Sequence, residues 1–224
     1  MDSINLGESA SLKNRTYELL KREILSNNFK PGDKLNISEL ASKLNISYSP
    51  VREALNLLCK EGLVELPPHK QAVIASYNMK DLKITIQLRE MLEPYAASLS
   101  ANLVPKEKLE EVKAMMHNVL KHPDNYQKYM DSDICLHQMF HEYIGSKTLS
   151  DILESLKYYN MRYRYINENS EKKSKREMIT NITMEHLEII KAFEERDVEK
   201  IARAVKNHIV SYAKRSEISV SEIN

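Results

Sequence analysis

Turn-forming residues are scarce in this chain: 4 glycines and 7 prolines punctuate 224 residues. Glycine supplies the conformations that tight turns need and proline interrupts regular elements, so their scarcity favours long helices over many short strands. Hydrophobic residues make up 42% of the chain, enough for a packed core and too many for disorder. The length accommodates one large domain or two smaller ones. No apolar run approaches the roughly 18 residues of a membrane span. The stretch from Met1 to Leu12 lacks the basic region and apolar core of a secretion signal. A cytoplasmic protein with no membrane partner is the expectation. Cys59 and Cys135 stand far apart and outside any C-x-x-C motif, so both are read as reduced, buried thiols.

Pattern divides the chain into two blocks, 1–76 and 77–224. The first opens with a helical stripe at Leu12, Tyr17, Leu20, Ile24 and Leu25. Pro31-Gly32-Asp33 makes a turn. Asn36 caps a short second helix with Glu39 three residues on, and Asn45, which tolerates the left-handed conformation, ends it. A third helix follows Ser47-Tyr48-Ser49-Pro50, where Ser47 or Ser49 can cap and proline fits the first turn. Its stripe is Val51, Ala54, Leu55 and Leu58, and Gly62 ends it. Leu63–Leu66 and Ala72–Ala75 then read as two short strands. This order is that of a winged helix-turn-helix, whose third helix can enter the major groove while the hairpin lies along the phosphate backbone or minor groove. A small helical domain with no role on DNA has the same element order. Over residues 12–76 ten Lys/Arg face seven Asp/Glu, a charge of about +3 in a chain whose total is +1.

The second block reads as an all-helical bundle of six helices near 79–102, 106–121, 125–144, 147–168, 176–195 and 198–216. Starts are expected at Asn78, Pro105, Asp124 and Asp197, and breaks at Gly145 and the charged run Glu171 to Arg176. Three of these helices carry polar residues on apolar faces. Asp133 and His137 share a face with Phe140 and Ile144; His186 shares one with Ile182, Ile190 and Phe193; His208 shares one with Ile201, Val205 and Tyr212. A period of 3.6 points each set inward. A carboxylate and three imidazoles inside a core are costly unless paired. A shared divalent metal, Zn²⁺, Ni²⁺, Mn²⁺ or Fe²⁺, satisfies them and leaves one or two positions open. Asp133 and His137 are about 6 Å apart along the helix axis, whereas Asp133 and His141 are about 12 Å apart and cannot share an ion. Alternatively, each histidine is a satisfied core residue. His117 and His122 are read as surface residues, His69 as surface or wing, and Cys135 as pointing away from Asp133.

On the first helix of this block Arg89 and Glu93, at i and i+4, lie within an apolar stripe. They form either a buried salt bridge or a site where Arg89 anchors a ligand carboxylate. The opposite face, with Ile84, Leu88, Met91 and Tyr95, is also apolar, which predicts burial on both sides, in a dimer or inter-domain contact. Tyr158, Tyr159, Tyr163 and Tyr165 line the pocket or simply fill the core.

Pro31-Gly32-Asp33-Lys34-Leu35, Glu39-Leu40-Ala41, Ser47-x-Ser49-Pro50-Val51-Arg52-Glu53-Ala54-Leu55 and Glu61-Gly62-Leu63-Val64 resemble the DNA-binding domain of the GntR family of bacterial regulators. The resemblance implies that Lys34, Ser47, Tyr48, Ser49, Arg52, His69 and Lys70 face DNA. Tyr48 stands where that family usually has Arg, and Lys70-Gln71 where it usually has Arg-Gly, so the operator is expected to differ: tyrosine cannot read guanine bidentately. Asp133-x-x-Leu136-His137, Gly145, His186 and His208 resemble the FCD effector-binding domain of the FadR branch, nearest its VanR subgroup. That resemblance implies a metal held by Asp133, His137, His186 and His208, with Arg89 a contact for the effector. Leu136 and Ser146 replace the usual Phe and Asn.

These readings combine into a homodimeric repressor. Two winged helices bind a near-palindromic operator, and a small organic acid binds beside the metal and Arg89. Two alternatives stand beside it: a regulator that senses the metal itself, and a helical metallohydrolase that uses the same ion to activate water.

Overall fold

The structure, a computed structural model, describes residues 11–25, 28–68, 70–76, 78–167 and 172–215, with the backbone alone over 158–167 and 172–174. The chain divides into two compact units, Met1–Asn78 with Tyr158–Asn167, and Met79–Lys157 with Glu168–Asn224.

The first unit contains α1 (Leu12–Leu25), β1 (Lys34–Leu35), α2 (Ile37–Leu44), α3 (Tyr48–Lys60), β2 (Val64–Glu65) and β3 (Ala72–Ile74). Local chemistry sets its boundaries. The Asn36 side-chain oxygen accepts the backbone N–H groups of Ser38 at 3.0 Å and Glu39 at 3.4 Å. The Asn36 amide donates to Glu39 Oε1 at 3.0 Å, so the expected capping pair forms through side chains. Asn45 closes α2 in the left-handed conformation, φ 52°. Ser47 occupies the N-cap of α3 without a side-chain capping bond. Val51, Ala54, Leu55 and Leu58 turn the buried face of α3 toward Leu20 and Ile24 of α1.

The sheet has three strands in the order β1-β3-β2, all antiparallel, with Leu35 opposite Ala72 and Val64 opposite Ile74. Sequence pattern anticipates the outer hairpin and misses β1, because two residues carry no readable alternation. The turn before β1 positions it: Gly32, at φ 86°, donates its N–H to the Ile74 carbonyl at 2.9 Å.

The second unit holds α4 (Met79–Ser100), α5 (Lys106–Lys121), α6 (Tyr126–Glu142), α8 (Lys172–Glu195), α9 (Val198–Arg215) and α7 (Lys147–Asn167) as far as Lys157, so the fold is mainly helical as expected. α4 packs on α9 and α6, α5 on α6 and α8, and α8 on α6 and α9. Phe140 of α6 stacks on Phe193 of α8 with centroids 5.7 Å apart. Three local expectations need correction. Asn125, not Asp124, caps α6, accepting the Lys128 N–H at 3.0 Å. The charged run to Arg176 does not break the chain throughout, since α8 already begins at Lys172: lysines and arginine are good helix formers. Cys59 and Cys135 are free thiols but half-buried, each at the margin of its helix's apolar face. Among the described residues no helix is long and apolar enough to cross a membrane.

Candidate metal centre and DNA-facing helix

Four side chains converge in the second unit. α6 contributes Asp133 and His137, α8 His186 and α9 His208; all are buried, and one ligand atom from each lies within 4.8 Å of the others. Asp133 Oδ1 is 3.5 Å from His186 Nε2 and 3.9 Å from His137 Nε2, too far for good hydrogen bonds. His137 Nε2 is buried with no hydrogen-bond partner. The ring centroids of His186 and His208 are 4.6 Å apart, those of His137 and His208 5.5 Å. Donors on opposite sides of one ion, at metal–ligand lengths of about 2.0–2.2 Å, are roughly 4.2 Å apart. The donor set therefore fits a divalent cation after small adjustments.

Two acids orient these rings from behind. His137 donates from Nδ1 to Glu93 Oε2 at 2.8 Å, which turns its Nε2 toward Asp133. His208 donates from Nδ1 to Glu185 Oε2 at 2.9 Å. Glu185 is in turn gripped by Arg215, at 2.5 Å and 3.0 Å. Carboxylates bonded to the far nitrogen are the usual means by which proteins fix a ligating imidazole and raise its basicity. Glu93 also bonds Arg89 Nε. Burial acts to raise the Glu93 pKa, but Arg89 and His137 outweigh it and hold the carboxyl well below the ordinary range. The same contest lowers Glu185, where the bonds from His208 and Arg215 prevail over burial. Burial, assisted by the neighbouring His137, lowers His208 and favours the neutral ring that a metal requires. Arg89 is raised: burial opposes its charge, and Glu93 and Asp133 restore it.

All four residues proposed as ligands from the sequence thus come together, and the Arg89–Glu93 pair forms as a buried salt bridge tied to the cluster through His137. His141 is buried but stands apart, its Nδ1 3.8 Å from Glu154. His117 and His122 are exposed. Cys135 lies by Lys108, away from the cluster. The side chains of Tyr158, Tyr159, Tyr163 and Tyr165 lie outside the described ones. Sequence reasoning missed Glu185 and Arg215 altogether; the only signal was an acid immediately before a buried histidine. It had Glu93 as a partner of Arg89, not as a support for His137.

In the first unit Ser47, Tyr48, Ser49 and Arg52 are exposed at the start of α3, with Ser49 Oγ bonded to Glu53 at 3.1 Å. Tyr48 is 49% exposed, whereas Val51, Ala54, Leu55 and Leu58 of the same helix are buried. Lys34 on β1 and Lys70 between β2 and β3 are exposed as well; His69 lies outside the described residues. Asn56, one turn beyond Arg52, is exposed too and did not stand out in the sequence.

Residues 12–74 match the family described as bacterial regulatory proteins, gntR family, and residues 85–211 match the FCD domain. The HTH-type transcriptional repressor RspR of Escherichia coli K12 is 23% identical over 206 residues, 91% of this chain and 88% of that protein. The HTH-type transcriptional repressor GlaR of the same organism is 33% identical over 156 residues, 67% of this chain and 71% of that one. Among solved structures, McbR/YncC of E. coli has a TM-score of 0.76 at 17% identity, covering 93% of this chain and 98% of that one, a likeness of fold.

Proposed function

The chain belongs to the GntR family of bacterial regulators, with an FCD domain following its helix-turn-helix, and from that premise we propose that it is a homodimeric repressor released or engaged by a small carboxylate bound beside a divalent metal. Members of this family regulate transcription, so the hydrolase reading gives way. In this proposal residues 1–76 bind a near-palindromic operator and residues 77–224 sense the effector.

The observation that carries the proposal is the convergence of Asp133, His137, His186 and His208, with Glu93 and Glu185 holding two of the rings in a ligating orientation. These four residues would hold Zn²⁺, Ni²⁺, Mn²⁺ or Fe²⁺. When bound, the ion would supply a Lewis-acidic anchor with an open position for an oxygen donor. Charge counting points to the effector's class. With the rings in their neutral, metal-binding form, Arg89 sets one positive charge against the two negative charges of Glu93 and Asp133. A divalent ion reverses that balance to a single positive charge, which one carboxylate neutralises. The Nε bond to Glu93 uses one of five guanidinium donors, so Arg89 keeps a fork suited to a carboxylate. Tyr212, buried one turn beyond His208, acts electrostatically on Arg89.

On the DNA side, Tyr48 and Arg52 would face base edges, and Lys34, Ser47, Ser49, His69 and Lys70 the backbone or wing contacts. For the dimer, the support is a stripe on α4: Leu88, Met91, Tyr95 and Leu99 are 39%, 70%, 57% and 41% exposed at spacings of three and four. An apolar stripe of that period suits a helix-to-helix seam.

The test combines metal content with operator binding. Wild-type protein dialysed without chelator is expected to carry about one divalent ion per chain, and His208→Ala to lose it. Fluorescence anisotropy on the protein's own promoter, against a scrambled duplex at fixed salt, is expected to show a preference that a small carboxylate shifts in the metal-loaded wild type only. Metal-dependent operator binding indifferent to every carboxylate would favour metal sensing instead.

A further inference from the structure

A hollow of about 570 Å³ opens where the end of α5, the start of α6 and the start of α8 meet. Lys121, His122, Asp124, Tyr126, Lys128 and Arg176 line it. Lys175 sits over the Tyr126 ring with Nζ 3.9 Å from the centroid. Lys121, Lys128, Lys175 and Arg176 thus gather around one lining carboxylate. That carboxylate, Asp124, is 3.5 Å from Arg176, and both side chains are largely exposed, at 73% and 62%. So loose an ion pair in water cancels little of the local potential. Lys128 Nζ donates to a neutral acceptor, Asn118 Oδ1, at 3.3 Å.

The helix ends add to this charge. The N-terminus of a helix carries a partial positive charge and normally attracts acidic side chains. α6 begins beside the hollow with no acidic residue in its first turn; α8 has none there either, opens with a basic run and reaches the hollow with Arg176, its fifth residue. Cations here oppose the helix dipole, an arrangement that an anion would relieve. Neither the winged helix nor the Asp133 cluster uses any of these residues.

We propose that the hollow binds a phosphate-bearing small molecule, its phosphate held by Lys121, Lys128 and Arg176. Three lining cations against one carboxylate leave an excess of about two, with Lys175 beside them, and a phosphate at about −1.5 to −2 matches it better than a monocarboxylate. The volume exceeds a bare phosphate and falls within the roughly 300–1,000 Å³ of small-molecule sites, leaving room for an organic moiety against Tyr126. Such a ligand bridges α6 and α8, the helices that also carry Asp133, His137 and His186, so the site is a second input to the same bundle.

Calorimetric titration of the full-length, chelator-treated protein with inorganic phosphate, pyrophosphate and ribose 5-phosphate tests this, in about 150 mM sodium chloride to suppress diffuse attraction. At least one phosphate ligand is expected to bind wild type and to lose roughly tenfold or more in affinity in the Lys128→Ala/Arg176→Ala double variant. Lys147→Ala, a surface change elsewhere, is expected to bind as wild type does. Tightest binding of ribose 5-phosphate identifies a metabolite; tightest binding of inorganic phosphate or pyrophosphate identifies the free ion as the ligand. Both replaced side chains reach the surface, so circular dichroism is expected to match wild type. Absence of binding by all three ligands, or equal affinity in the double variant, overturns the proposal. So does a double variant that retains the small anions but loses affinity for random duplex DNA, which would make the patch a backbone contact. Because no metal and no operator enter the titration, the result is independent of the metal and effector reading.

Discussion

Glu185 offers the sharpest test of whether the acids behind the histidines support a metal. Its Oε2 accepts from His208 Nδ1 at 2.9 Å, and its two oxygens engage Arg215. Glu185→Gln preserves the shape and leaves an amide oxygen able to accept the same Nδ1–H, so the ring keeps its orientation. What is lost is the charge. Hydrogen bonds to charged groups contribute ~1.5–3 kcal/mol and neutral ones ~0.5–1.5, a difference of ~1–1.5 kcal/mol. That difference corresponds to about a tenfold loss of metal affinity. Glu185→Ala removes orientation as well and is expected to approach the ~100-fold end of the range seen for such supporting groups. The fold should notice far less. The Glu185–Arg215 pair is 28% and 26% exposed, and partly exposed ion pairs contribute about 0–1 kcal/mol. Competition against a chromophoric chelator measures metal affinity, and urea titration of the chelated protein measures stability. Graded affinities, wild type above Gln above Ala, with nearly constant stability, are the expected result. Equal metal affinity in all three proteins would refute the idea that Glu185 acts on His208 as a ligand.

Other expectations follow from the same geometry. In metal-free protein, burial holds His208 below its ordinary 6.5, so the unfolded chain binds a proton that the folded chain refuses. Stability is therefore full above pH 6.5 and falls as pH drops from there toward the lowered folded value. Glu93 and Glu185, both lowered, add a second loss only as pH falls below their ordinary 4.5. Melting temperature against pH should show the first step in wild type and not in His208→Gln; identical slopes would contradict it. On α3, Arg52→Ala is expected to cost about 1–3 kcal/mol in operator binding and to relax one base position. Tyr48→Arg is expected to create a guanine preference of similar size, read by selection from a randomised duplex pool. Met91→Glu with Tyr95→Glu on α4 is expected to shift the protein from dimer to monomer in sedimentation without unfolding it; an unchanged mass would move the dimer seam elsewhere.

The four proposed ligands were legible in the sequence for a reason that also explains why their supports were not. Asp133, His137, His186 and His208 each sit at a position where the 3.6-residue period demands an apolar residue, so each violates a pattern visible within its own helix. Recognition needed no tertiary information beyond the premise that apolar faces point to one core. Glu185 violates nothing. It adjoins His186, about 100° round the helix, and its partners lie on a different helix: His208 and Arg215 on α9. Only the packing of α8 on α9 makes it part of the site. Glu93 is the intermediate case. Its placement on the buried stripe of α4 signalled a pair with Arg89, and an i, i+4 rule finds that pair, but the second bond, to His137, crosses to α6. The first unit follows the same division. The Asn36 cap and the left-handed Asn45 are local and were readable, whereas the two-residue β1 exists because Gly32 and Asp33 bond Ile74 across the sheet. Period and capping thus reveal which residues face inward, and helix-to-helix register decides which of them act together. Substitutions at Glu93 and Glu185 therefore probe the packing of the bundle as much as its chemistry. A variant that repacks α8 against α9 without touching any ligand, such as Ile189→Ala in the buried face of α8 beside Ile190, is expected to lower metal affinity along with stability, whereas Glu185→Gln lowers the first alone.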